Sequence, residues 1–597
     1  MMKKYALFIL SLCLSPLPVF GQTTVTFQVN ELPKDDLQHI GIRGNIPPLD
    51  WGRSILLKGA EAPYYVTLEF PESDESLEFK FVRFNDDSKP TWESTQNRTL
   101  ELIADTVLIS NNRWNREQIV DISTLKKLTP EGLSADYKLI ETMVLDVHPG
   151  TYRYNDHQQI KKGLNELKAK FSQPLTHGEA YLAISKVTAQ IKCDHTKAGF
   201  NNQSKIINSV IHYQKDKLPF TFKWVGDQML VIQNASQNNS LKKGIIINSI
   251  NGIKVKDIQQ EMMTLVGADG ATDHNRLYKT EINGYDFRYN AFDIFFPLLY
   301  PFSDSLTLDI QDYKSGATQT LKVAPLTREE RSAIFADRYA DFPKTRDDLW
   351  NFEILENQIG LLTVNSFGLF GWKAMTLDYK QFLADTFAKL NSAGIKHLII
   401  DIRKNNGGAD EMLEELFGYL SKENSSFNRE GRTRYLEFPE SLKPYVQTWG
   451  DNPWYFNLQP KKKKPTDGYY IFKENFTQKT DQSKMTFSGD VYLLTSAANT
   501  SLAFYTAYRF QKQEMGLSIG QETGGNLNDI NGGQILFLRL PYSQIEIDFP
   551  VMGGFTIEPQ PDMGVKPDIE IEYTIEDIIA GRDLEIETAL KMIADKQ

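Results

Sequence analysis

At 597 residues the chain can hold about three to five domains, each burying its own core. Its net charge of −11, from 66 Lys and Arg against 77 Asp and Glu, excludes the broad positive field on which nucleic-acid binding depends. The basic run Lys461–Lys464 reads as a solvated loop rather than a binding patch.

In chain order, MMKKYALFILSLCLSPLPVFGQ comes first. Two lysines, an apolar stretch from Tyr5 to Leu14, Pro16, Pro18 and Gly21 predict a secretory signal peptide over 1–21. The apolar stretch is too short for a bilayer anchor, and a lipidated Cys13 would leave an unusually short apolar region ahead of it. No later segment predicts a membrane span. The expected product is exported, periplasmic or at the cell surface, with Cys193 as its one cysteine and no internal disulfide.

Residues 23–110 alternate apolar and polar in TVTFQV, HIGIRG, YYVTLEF, LEFKFVRF and RTLELI, separated by turn residues, which predicts a β-sandwich. Trp51, Lys80 between Phe79 and Phe81, and the run Trp92, Glu93, Asn97, Arg98 resemble the starch-binding type of carbohydrate-binding module. That resemblance implies an α-glucan partner. Indoles of Trp51 and Trp92 would stack on sugar rings, while Lys80, Glu93 and Asn97 would meet hydroxyls. The competing reading buries both tryptophans in a sandwich that only spaces domains.

Residues 120–215 carry helical periodicity in LIETMVLDV, KKGLNELKAKF and EAYLAISKVTAQI, punctuated by His148 and His195. Strands return over 216–325. There Gly244, Ile247, Ile250, Asn251 and Gly252 resemble a PDZ domain, a peptide binder that adds a strand to a sheet edge; the Asn-Gly pair also predicts a tight hairpin by itself. The usual carboxylate-binding loop of such domains is not recognisable. From about 340 onward strand and helix alternate, predicting an α/β layer architecture.

Two segments of this last region carry the chemistry. HLIIDIRKNNGGAD (397–410) is a strand ending in a glycine turn, and VYLLTSAANTSLAFYTAYRF is a buried strand that restarts as a helix near Ser501. A hydroxyl at a helix start and a turn with free N–H groups are the two halves of an acyl-transfer site. Asp401, Arg403, Asn405, Gly407 and Gly408, with Leu494, Thr495, Ser496, Thr500 and Ser501, resemble the tail-specific (C-terminal-processing) serine proteases. Leu502-Ala503-Phe504 replaces that family's Ala-Ala-Glu. The resemblance implies Ser501 as nucleophile, with N–H groups of Gly408 or Gly407 and of Leu502 as the oxyanion hole.

The base is the open question. Where some members place a lysine, this chain has Asn526, which cannot accept a proton, and Lys512 lies three helical turns beyond Ser501. Asp194-His195-Thr196 resembles the histidine setting of the tricorn-like and retinoid-binding-repeat branch and implies His195, with His148 as competitor. A carboxylate should orient the imidazole. The branch places a Glu where Pro561 stands, leaving Asp562 or Glu558.

The expected molecule is multidomain: signal peptide 1–21, starch-binding-like β-sandwich 22–120, helical segment 121–215, PDZ-like α+β domain 216–325 and α/β catalytic core 326–597. It reads as a serine endopeptidase acting on protein or peptide substrates. No metal or organic cofactor is implied, since no H-E-x-x-H or paired-cysteine spacing occurs. The rival reading is a non-enzymatic protein that holds an apolar ligand or a glycan on a protease-derived scaffold.

Overall fold

A computed structural model describes residues 22–596 except 31, 33–36, 72, 74–75, 86–88, 96, 101, 103–106, 115–121, 123–124, 200–201, 283–289, 303, 340–348, 369–376, 450–453, 457–467, 473–475, 484 and 557. The signal-peptide segment and the Lys461–Lys464 run lie outside the described residues. The chain divides into two compact units, 1–120 and 121–597.

The first unit is a β-sandwich. One sheet orders Tyr64–Pro71, Gln22–Val29 and Val107–Asn112; the other is built on His39–Gly44 and Leu77–Phe84, with short strands at its edges. Alternation sets the layers. Val25, Phe27 and Val29 of one sheet meet Phe79, Phe81 and Ile42 of the other, all fully buried. The strand at 107–112 was not expected, and the predicted RTLELI strand spans only Arg98–Leu100 within the described residues.

In the second unit, helices Pro130–Thr142, His157–Phe171 and His177–Gln190 form where periodicity predicts them. The latter two begin with capping boxes, Asp156 with Gln159 and Thr176 with Glu179. Next comes an antiparallel sheet ordered Thr318–Val323, Leu306–Asp312, Ile245–Ile250, Gln228–Asn234 and Phe220–Val225. Asn251 and Gly252 turn its hairpin with φ of 52° and 80°, as a tight Asn-Gly turn requires.

The C-terminal core is an α/β layer structure. Its sheet orders Trp350–Leu355, Ile359–Val364, His397–Asp401, Asp490–Thr495, Leu517–Gly520 and Ile569–Glu570, parallel from the second strand onward. Leu398, Ile400, Val491 and Leu493 face helices Tyr379–Ser392, Asp410–Leu420 and Ser501–Lys512. Ile399, Tyr492 and Leu494 face the terminal helix Leu584–Ala594. A second, antiparallel sheet was not foreseen. It joins Ser425–Thr433, Glu546–Phe555 and Gly533–Arg539, and an isolated bridge from Lys197 to Asp548 draws the His195 loop onto it.

Candidate active site

The central strands His397–Asp401 and Asp490–Thr495 run parallel and end side by side, where α/β sheets present their ligand sites. Asn499 staples the two exits together: its amide donates to the carbonyls of Ile402 (2.6 Å) and Asn405 (2.8 Å) and accepts from Ser496 N (2.7 Å). Arg403 of the first motif is structural. It pairs with Asp401, Asp583 and Glu585, tying the strand to the terminal helix.

Ser501 opens its helix with φ of +52°, a left-handed conformation that a side chain other than glycine adopts only when its surroundings impose it. The N-cap Thr500 makes no side-chain capping bond, and Leu502 N finds no acceptor among the described residues. The positive end of the helix therefore lies at the serine with no capping side chain to offset it.

Opposite lies the glycine turn. Gly407 and Gly408 have φ of 109° and 144°, and a Cβ on Gly407 would stand 2.7 Å from Ser501 Cβ and 2.9 Å from Leu502 N. Of the two predicted donors only one is available. Gly407 N donates to Asn405 Oδ1 at 2.8 Å, which removes it from the oxyanion site. Gly408 N has no acceptor among the described residues. Its turn is fixed by Phe367 N to Gly407 O and Ala409 N to Phe367 O.

His195 arrives from 306 residues earlier: its Nε2 lies 3.1 Å from Ser501 Oγ. The ring packs on the backbone of Gly532, where a Cβ would be 3.0 Å from Cε1. Burial pushes His195 down to about 4; adjacent Asp194 raises it, while Lys197 and Lys279 lower it further. The imidazole is thus neutral near pH 7, the form a general base requires.

His148 does not compete. It is fully buried, its Nδ1 accepts from Gly150 N (2.9 Å) and its Nε2 bonds Thr196 Oγ1 (2.6 Å), so it braces the loop that carries His195.

The predicted carboxylates fall elsewhere. Asp562 Oδ1 accepts from Asn526 Nδ2 (2.7 Å) and Ala271 N (2.9 Å), and Glu558 is exposed; neither meets His195 among the described residues. Asn526, in the lysine position, is fully buried and also donates to the Asp269 carbonyl at 3.2 Å.

The carboxylate that does approach is Asp269, which the sequence reading passed over. A ring nitrogen of His195, a carboxylate oxygen of Asp269 and Cys193 Sγ lie within 4.8 Å of one another. Thiol and imidazole suit zinc, but the group supplies three donors where a closed structural shell needs four. Burial pushes the thiol up to about 12, so Cys193 is a packed neutral group, not a nucleophile.

In the sandwich unit, Trp92 is 40 % exposed and Trp51 half-buried, their ring centroids 6.2 Å apart and planes tilted by 40°. Arg43 lies over the Trp92 ring and donates to the Trp51 carbonyl. Asn97 is exposed and donates to Glu78, and Lys80 reaches the Glu93 carbonyl at 3.4 Å. Glu93 must be reassigned. It is 1 % exposed, accepting from Phe81 N and from both Nε and an Nη of Arg98, a buried clamp between strands rather than a sugar contact.

Residues 358–571 match the family described as Peptidase family S41, and residues 22–110 match the starch binding domain CBM_20. Among solved structures, mature CPAF complexed with lactacystin is 14 % identical. The match covers 77 % of this chain and 97 % of that one, with a TM-score of 0.52. Mature CPAF without that compound in its description is 14 % identical over 75 % and 94 %, at 0.50. The photosystem II D1 C-terminal processing protease is 13 % identical over 76 % and 98 %; its TM-score of 0.36 carries no argument. The CPAF likenesses are likenesses of fold. No curated protein matches the chain.

Proposed function

From a core that belongs to peptidase family S41, carried behind a starch-binding domain, we propose that the chain is an exported serine endopeptidase working through Ser501 and His195. Ser501 Oγ attacks the peptide carbonyl as its proton passes to His195 Nε2; the imidazolium then returns a proton to the leaving amine. The tetrahedral oxyanion is received by the N–H groups of Gly408 and Leu502, each such donor being worth about 2.7–4 kcal/mol in the transition state.

The observation that carries this reading is the 3.1 Å contact from Nε2 to Oγ beside two unclaimed N–H groups. Export rests on the pattern of residues 1–21. The antiparallel sheet over 216–325 is read as a PDZ-like domain that receives an extended peptide, between a helical segment 121–215 and a catalytic core 326–597. The sandwich is read as an α-glucan binder.

Ser501→Ala should abolish casein hydrolysis and labelling by a fluorophosphonate while leaving the melting temperature within a few degrees of wild type. Equal proteolysis by both proteins would refute the assignment.

A further inference from the structure

A base needs its second nitrogen held, and here the expected holders are absent. His195 Nδ1 is buried with no hydrogen-bond partner in good geometry among the described residues; the nearest help is the backbone carbonyl of Asn531, which favours the charged ring. Asp269 is 1 % exposed. One of its oxygens accepts from Asp194 N at 3.0 Å, and the other, Oδ2, is buried and unpartnered. Two buried polar atoms, one able to donate and one to accept, are thus both unpaired among the described residues, on two side chains of which a ring nitrogen and a carboxylate oxygen lie within 4.8 Å of each other. Leaving such atoms unpaired leaves the desolvation cost of burying them uncompensated. Active-site hydrogen bonds are often long before substrate binds and tighten in the complex.

The turn that carries Asp269 is held on its far side by Asn526, which stands in the lysine position, and by Asp562. Asn526 donates to the Asp269 carbonyl and to Asp562, and Asp562 accepts from Ala271 N. Thr272 adds a bond to the same carbonyl. A Cβ on Gly270, which has φ of +60°, would collide with both Asp562 and Asn526, so the turn is seated tightly against them.

We propose that Asp269 is the positioning carboxylate of this site. Its Oδ2 accepts the Nδ1 proton of His195 and so fixes the tautomer that leaves Nε2 free for Ser501, with Asp562 and Asn526 as its scaffold. This rests on the Ser501–His195 reading. During attack the Ser501 proton moves to Nε2, the Nδ1 proton stays on the ring, and the Asp269 carboxylate offsets the imidazolium charge.

The groups around Asp269 are Asp194, Lys279, Arg153 and Tyr154, besides His195 and Cys193. Burial, then Asp194, hold it above the usual carboxylate range, so its ionisation falls within reach of an activity profile.

The test uses the full-length Asp269→Asn protein with a fluorogenic peptide and fluorophosphonate labelling. The amide keeps the shape and loses the acceptor charge. We expect kcat to fall roughly 10²- to 10⁴-fold with KM within about threefold. The serine should label correspondingly more slowly, and the acid limb of kcat/KM should move to lower pH. A folded Asp269→Asn enzyme with kcat within twofold of wild type and an unmoved limb overturns the proposal.

If the variant does not fold, the wild-type complex with a peptide boronate decides. Nδ1 bonded to Asp269 directly or through one water supports the assignment; Nδ1 on the Asn531 carbonyl with Asp269 turned away overturns it. Ser501→Ala and His195→Ala run beside it keep the two readings apart. Activity lost in both but kept in Asp269→Asn defeats only the carboxylate, whereas activity kept in His195→Ala defeats the base.

Discussion

A Cβ added to Gly532 would stand 3.0 Å from Cε1 and 3.3 Å from Nε2 of His195, so this glycine sets how near the ring comes to Ser501. Gly532→Ala should push the imidazole off its 3.1 Å contact and lower kcat by roughly 10²-fold, with KM little changed, in steady-state peptide cleavage. His148 acts on stability instead. Burial pushes it down to about 3, against roughly 6.5 in the unfolded chain. Below that pH the unfolded state binds the extra proton, so stability present above it is lost as pH falls. Between pH 6.5 and 5 this one group should remove about 2 kcal/mol. His148→Gln should lose that share of the acid dependence while starting less stable at pH 7, as urea unfolding at both pH values would measure. Ser501, the glycine turn and His195, which the fold brings together, were legible as a group because each sits in a spaced motif. The choice between Gly407 and Gly408 was not, since it depends on where the Asn405 amide points. Asp269 was hidden too: GADG reads as a turn, and its meaning comes from contacts with residues as far as 75 and 257 positions away.

At the scale of elements, continuous apolar runs made the parallel strands of the core readable, because both faces of each strand are covered. The second sheet escaped for the opposite reason. Its strand Ser425–Thr433, SSFNREGRT, is polar, and it pairs with Glu546–Phe555 more than a hundred residues on, so no local pattern announces it. The sandwich teaches a related lesson through Glu93. A carboxylate beside an exposed tryptophan looks like a ligand contact, yet it is spent on Arg98 and on the backbone of Phe81. Glu93→Ala would leave Arg98 buried without its partner and should destabilise the sandwich by about 3–5 kcal/mol, seen as a lower denaturation midpoint. Glucan affinity per folded molecule should be unchanged.

For the whole molecule, the division at residue 120 makes the first unit separable, with its own apolar core and no cysteine within 22–120. Residues 22–120 expressed alone should fold and be retarded in gels containing soluble starch. Trp51→Ala or Trp92→Ala should abolish most of that retardation while shifting the unfolding midpoint little, because Trp92 is 40 % exposed and Trp51 only half-buried. A folded segment with no retardation would leave it a spacer. The second unit is organised quite differently, with the contacting His195 and Ser501 306 residues apart in sequence. A chain emerging from the ribosome presents its histidine long before its serine has been made, and the last helix of the core, Leu584–Ala594, comes later still. On the proposed Ser501–His195 mechanism, a product truncated before Ser501 carries the histidine without its serine and cleaves no peptide.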